Sequence, residues 1–268
     1  METHKNENKK IMILHLYHDL MNLYGDWANP VVLARELSAR GREAELGKKS
    51  VGDKIEFSLY DFIYIGSGTE RSQIACMRDL AQYKNTLIER IEAGIPVLAT
   101  GNSHEMFGQA VTDSDAVRHE MLGLLEFETV QLNTRVTGDC ICTASLSFGE
   151  TPDRSRNDTI FLKDKLIGFI NRAGGNQKGD TERPFFIEPG EGASYKACTE
   201  GIRYKNLLGT YMTGPLLVRN PPLLRYFADI LTGEATEGNL HTSSADPFFK
   251  HQEKAYNLAL GELSGRVK

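Results

Sequence analysis

Residues 95–108 read IPVLATGNSHEMFG. An apolar run of strand length passes without a linker into Gly101, and a short stretch of helical character follows. That succession predicts a buried strand, a tight turn and a short helix. The same rhythm holds on the N-terminal side. Residues 10–17 (KIMILHLY) form a short apolar run, the mark of a buried strand. Asn29 and Pro30 read as an N-cap and first helical position, and Gly41 stops the helix after VVLARELSAR. Residues 59–65 (LYDFIYI) form a second buried strand ending in the turn Gly66-Ser67-Gly68. Ile74, Met77, Ala81, Leu87, Ile88 and Ile91 then recur at near-helical spacing, with Gly94 and Pro96 closing that helix. Counted this way, the run at 95–100 is the third strand. Strands separated by helices pair in parallel, so the first hundred residues predict a layered α/β domain.

Beyond residue 126 the pattern changes. Residues 130–146 (VQLNTRVTGDCICTASL) alternate in the manner of a strand, a polar stretch covers 149–158, and a strand-like TIFL follows at 159–162. The run at 165–170 ends in an expected loop, Asn171-Arg172-Ala173-Gly174-Gly175. Residues 207–212 (LLGTYM) lead into Gly214-Pro215, and 223–231 read as a helix. Residues 233–244 read as a loop before a final helix spaced by Phe248, Phe249, Ala255, Leu258 and Leu260. The expected organisation is a polar tail at 1–9, one domain at 10–231, and a loop with a C-terminal helix at 232–268.

Composition narrows the function. The chain has 268 residues, 40% hydrophobic and 25% charged, the balance of a soluble globular protein. Acidic residues outnumber basic ones, 36 to 31, for a formal charge of -5. That balance disfavours nonspecific nucleic-acid binding, which needs clustered cations to displace phosphate counterions. No apolar run approaches the ~18 residues of a membrane span, and the polar N-terminus METHKNENKK resembles neither a signal nor a transit peptide. The four cysteines make no disulfide framework in a chain this long. Cys140 and Cys142 fall on one face of a strand without further ligands at metal spacing, so reduced thiols, no cofactor and a cytoplasmic location are expected.

Generic motifs carry little. Gly66-Ser67-Gly68 begins like a dinucleotide loop, but Arg71 stands where the third glycine belongs. Gly174 to Lys178 lacks the spacing and trailing Ser/Thr of a phosphate loop. Glycines after a strand do let backbone N–H groups face a ligand, so an amide pocket at Gly66–Gly68 is expected.

The combination of segments is more informative. In order stand LYHDLMNLYGDWANP (16–30), IYIGSGTERSQ (63–73), PVLATGNSHEMFG (96–108), IGFINRAGG (167–175) and GTYMTGPLLVRNPPL (209–223). Together they resemble the class I glutamine amidotransferase domain of the cobyric acid synthase type, and in particular the small GatD-type glutaminase subunit. The resemblance spans residues 10 to 230. It implies a three-layer, flavodoxin-like α/β fold with a mostly parallel central sheet. It implies glutamine hydrolysis by a cysteine at a strand-to-helix elbow, a histidine base and an acidic residue orienting it. It also implies delivery of the ammonia to a separate Mur-ligase-like or other ATP-dependent amidating partner in peptidoglycan or cobalamin precursor synthesis.

The residues depart from that pattern where the chemistry lies. The family's elbow cysteine falls on Gly101, and its histidine, in Y-L-H-G-P-L-L, falls on Thr213. The family's G-F-E-N-H is Gly168-Phe169-Ile170-Asn171-Arg172 here. Glycine forms no thioester, and threonine takes no proton at neutral pH as imidazole does. Loss of either member of a cooperating pair removes most of the rate. The residues therefore predict a protein without glutaminase activity. Ser103 and His104 do not repair the site, because neighbours on a helical turn point about 100° apart. Ser103 reads as a helix cap and His104 as a surface or pocket residue. The expected pocket comprises Gly66, Ser67, Gly68, Asn102, Ser103, His104 and Arg172. The guanidinium of Arg172 suits a small carboxylate ligand. The first reading is a non-catalytic subunit of an amidating pair; the alternatives are an enzyme or ligand-binding protein with changed chemistry in the old pocket, or a residual glutaminase subunit in cell-wall precursor or cobalamin amidation.

Overall fold

A computed structural model describes residues 10–144, 146, 164–178, 181–188, 199–233 and 246–266. The polar tail, the strand-like 159–162, most of the 233–244 loop and Cys198 lie outside the described residues. Along the chain run β1 (Ile11–Leu16), α1 (Ala28–Ala39), β2 (Ala44–Lys49), β3 (Phe62–Ile65), α2 (Glu70–Leu80), α3 (Lys84–Glu92) and β4 (Val97–Thr100). Then come β5 (Ala110–Thr112), β6 (Arg118–Glu120), β7 (Glu128–Ala144), β8 (Lys165–Lys178), β9 (Phe185–Ile187) and β10 (Thr199–Glu200). Last are β11 (Ile202–Tyr204), β12 (Leu207–Thr210), β13 (Met212–Thr213), α4 (Leu216–Arg219), α5 (Pro221–Thr232) and α6 (Pro247–Arg266).

Six strands form the central sheet in the order β11-β12-β4-β3-β1-β2. All its pairings are parallel except β11 with β12. β1, β3, β4 and β12 are buried on both sides, and their residues sort by the two-residue period. Ile11, Ile13, Phe62, Tyr64, Leu98 and Leu208 meet α1, α4 and α5. Leu14, Leu16, Ile63, Ile65, Val97, Ala99 and Leu207 meet α2 and α3. This is the flavodoxin-like, three-layer α/β arrangement. The strand order reverses between β1 and β3, whose pairing is parallel, and the crevice beyond their C-terminal ends is where such sheets hold ligands.

A second, largely antiparallel sheet is added beside the first, built on the long hairpin of β7 and β8 with β5, β6, β9, β10 and β13. Cys140 and Cys142 share the face that joins the first core, while Ile141 points the other way, toward Tyr256 of α6. The two thiols do lie on one face.

Several expectations are corrected. The edge strand β2 was not foreseen, so the run at 95–100 is the fourth strand. The second strand is shorter than 59–65, because Phe57–Leu59 form a 3-10 turn. The helix expected through Ile74–Ile91 is two, α2 and α3, divided by a 3-10 turn at Ala81–Tyr83. Asn29 does not cap α1: it lies inside the helix and is fully buried. The expected loop at Asn171–Gly175 is the middle of β8, whose glycines pair against β7.

Candidate functional site

β4 ends at Thr100, and the chain turns through Gly101 into a 3-10 helix, Gly101–Phe107. Gly101 has φ +64°, the left-handed region that residues bearing a Cβ adopt at a cost. The turn opens into a cleft of about 360 Å³, counted out to open solvent. Ser67, Gly68, Gly101, Asn102, Arg172 and Thr213 all line it. Segments far apart in sequence thus meet where the C-terminal ends of the strands meet the second sheet.

The turn after β3 forms the wall facing Gly101. Its amides do not wait for a ligand. Ser67 N–H donates to Asp26 Oδ2 at 2.9 Å, and its hydroxyl donates to the same oxygen at 2.5 Å. Gly68 N–H donates to the Asn102 side chain at 3.0 Å. The carboxylate held there is the protein's own, so the expected amide cradle for a ligand is corrected. The glycines serve close approach instead. A Cβ at Gly66 would stand 2.3 Å from the Met21 carbonyl oxygen, and one at Gly68 would stand 2.4 Å from Met21 Sδ. Asp26 is fully buried, and burial raises its carboxyl pKa above the ordinary range against the hydrogen bonds from Ser67.

Ser103 and His104 lie behind the cleft, not in it. Ser103 Oγ donates to the carbonyls of Ile65 at 3.0 Å and Thr100 at 2.8 Å, so it is a core tie and not a helix cap. His104 is completely buried, with Nδ1 donating to the Gly101 carbonyl at 2.7 Å and its ring edge-on to Tyr211 at 4.2 Å. Burial lowers its pKa to about 3, which keeps the ring neutral. The surface or pocket position expected for His104 is corrected accordingly. Thr213 is buried as well, and its hydroxyl donates to the Phe169 carbonyl at 2.9 Å.

Arg172 does line the cleft, but it is engaged by the protein. Its guanidinium stacks on the Tyr211 ring at 4.7 Å and donates to the Gly174 carbonyl. Arg135 was missed by sequence reasoning. It sits where four residues of β7 oppose one of β8, between the pairs Gln131–Gly174 and Val136–Arg172. Such a bulge re-aims a side chain. Arg135 donates to Asn171 Oδ1 at 2.8 Å and to Glu70 at 3.0 Å, while Asn171 donates to the Tyr24 hydroxyl at 2.9 Å.

Glu105 was also passed over, although it stands inside the stretch that decides the fold. It is buried in the cleft wall, accepting from Tyr211 at 2.6 Å and from Gln73 at 2.7 Å. Burial pushes its pKa up to about 7. Among the described residues no cysteine supplies a ready thiolate. Burial pushes the thiols of Cys76 and Cys140 up to about 12 and raises that of Cys142 well above its ordinary value. Among the described residues no group of three or more His, Cys, Asp or Glu could hold a metal ion, and no helix is long and apolar enough to cross a membrane.

Residues 12–221 match the CobB/CobQ-like glutamine amidotransferase domain. The chain is 30% identical over 220 residues to a protein of Staphylococcus aureus (strain N315), covering 82% of this chain and 84% of that one. That protein is the GatD subunit of lipid II isoglutaminyl synthase (glutamine-hydrolyzing). The GatD subunit of Streptococcus pneumoniae (strain ATCC BAA-255 / R6) is likewise 30% identical over 216 residues, covering 80% of this chain and 77% of that one. A crystal structure of a glutamine amidotransferase superposes with a TM-score of 0.51 at 15% identity, over 82% of this chain and 98% of its own, which supports the fold alone. The chain belongs to the CobB/CobQ-like glutamine amidotransferase family.

Proposed function

We propose that this chain is a GatD-like subunit that does not hydrolyse glutamine and that docks on an ATP-dependent amidating partner of the Mur-ligase type. The pair would act in the cytoplasm on peptidoglycan precursors or, in the second case, on a cobyrinate-type acid, with ammonia from another source. One observation carries the reading. Gly101 occupies the strand-to-helix turn at which the resemblance expects the nucleophilic cysteine, and it lines one cleft with Thr213, which stands for the histidine. Glycine has no side chain to form a thioester, and the threonine hydroxyl does not accept a thiol proton at neutral pH. The hydroxyl of Thr213 is already given to a backbone carbonyl. The relatives' name, a subunit of a synthase, supports a separate partner.

The alternative of a small carboxylate held by Arg172 and the Gly66–Gly68 amides is weaker, because Ser67 and Gly68 give their N–H groups to Asp26 and Asn102. The test is covalent labelling with diazo-oxonorleucine, a glutamine-like electrophile, read by intact mass and peptide mapping. No stoichiometric adduct is expected. An adduct on any residue lining the cleft would overturn the proposal.

A further inference from the structure

We propose that Ser67 is the residue that shuts the seat at position 101, so that the cleft is closed to a nucleophile by shape as well as by the missing thiol. The inference rests on the reading of Gly101 as the former nucleophile position. A Cβ built on Gly101 would stand 2.3 Å from Ser67 Cβ, 3.2 Å from its Cα and 3.3 Å from its Oγ. Carbon atoms in van der Waals contact stand about 3.5–4.0 Å apart, so the two side chains exclude one another. The nearest atoms belong to the root of Ser67, not to the end of a flexible chain. Rotation about its side-chain bond leaves Cβ where it is.

Nor can the turn retreat. Asp26 grips the N–H of Ser67 at 2.9 Å and its hydroxyl at 2.5 Å. Its carbonyl accepts from Leu23 N–H at 3.0 Å, and the next amide, Gly68, is held by Asn102. Behind the turn, Gly66 and Gly68 already touch the Leu20–Asp26 segment so closely that neither has room for a methyl group. Gly101 itself is held in place, because its carbonyl receives the buried His104 ring. Two rigid turns face each other with room for one Cβ between them, and Ser67 supplies it. A serine here and a glycine at 101 are steric complements.

Thermal melts and iodoacetamide alkylation test this on the full chain, with the labelled site found by peptide mapping. Gly101→Cys should lower the melting temperature and leave the new thiol slow to react. Gly101→Cys with Ser67→Gly should recover most of the loss and alkylate about ten-fold faster, because the thiol becomes both accommodated and accessible. Gly101→Cys with Ser67→Ala should do neither, since alanine keeps the Cβ. If the single variant does not fold, recovery of folded protein by Ser67→Gly is the expected outcome. Failure of Ser67→Gly to improve either readout, or a single variant that melts and alkylates like the double, would overturn the proposal. Neither readout involves glutamine, so wild-type glutaminase activity would refute the proposed function and leave this steric result standing.

Discussion

The Tyr211 hydroxyl donates to Glu105 at 2.6 Å inside the wall of the cleft, and Gln73 donates to the other carboxylate oxygen at 2.7 Å. Two hydrogen bonds do not offset the burial of this carboxyl, whose pKa rises from 4.5 to about 7. The folded state therefore binds a proton that the unfolded chain has released. Through this group, stability is full below about 4.5, falls as pH rises, and reaches its lower level above about 7. His104 and His15, lowered to about 3 and about 4 by burial, act in the opposite sense up to about 6.5. Glu200, whose buried carboxyl also rises to about 7, adds to the fall, so the wild-type profile mixes opposed slopes and a variant must isolate Glu105. Glu105→Gln should gain on wild type by roughly 1–3 kcal/mol between pH 5 and pH 7.5. Urea unfolding at each pH measures the gap, and a gap that does not change with pH would refute the assignment.

Asn29 allows a sharper test of a local misreading. Its side chain donates to the Tyr64 hydroxyl at 2.7 Å and to the Asp26 carbonyl at 3.2 Å, and it accepts from Leu217 N–H at 2.7 Å. Were it a helix cap, Asp would serve equally well. As a buried bridge it cannot be replaced so, because Asp lacks the donors and brings a charge close to Asp26. Asn29→Asp should destabilise by roughly 2–4 kcal/mol in denaturant unfolding. A change within about 0.5 kcal/mol would favour the cap.

On the far side of α1, Arg40 bridges Glu36 of the same helix at 2.8 Å and Asp229 of α5, with all three side chains almost fully buried. Removing one partner strands a buried charge, which is more damaging than removing the set. Arg40→Ala, which leaves the buried carboxylates of Glu36 and Asp229 without their shared cation, should lower stability by about 3–5 kcal/mol, while replacing all three with apolar residues of like volume should be nearly neutral. Equal losses in the two variants would contradict this account.

Much of the central sheet was legible because β1, β3, β4 and β12 are buried on both faces and read as short apolar runs. β2 was not, because AELGKK lies at the sheet's edge, half exposed, and carries lysines. The β8 hairpin strand was hidden by Gly174-Gly175, which read locally as a loop but pair with Val130 and Gln131. The site followed the same division. Gly101 and Thr213 were found through motif order. Arg135 was not, since only the β7 bulge aims it at the cleft, and a bulge has no reliable signature in one sequence. Ser67 was read as a ligand-facing amide because the sequence does not reveal that Asp26 reaches back to fill it.

Rebuilding the site should be harder than restoring two side chains. Gly101→Cys with Thr213→His meets the obstruction at Ser67 and should release ammonia from glutamine at most feebly. Adding Ser67→Gly should raise that rate several-fold, yet leave it far below a family enzyme, because cooperating catalytic groups act as a unit. Continuous ammonia detection compares the variants. A double variant as active as the triple would show that Ser67 does not limit the site.

The central claim is that the chain carries no glutaminase, and steady ammonia release from glutamine measures it most directly. Purified wild-type protein, alone and with an amidating partner co-purified from its host, should release ammonia no faster than the matched control without the chain. Release that saturates with glutamine and scales with the chain's concentration would contradict the account.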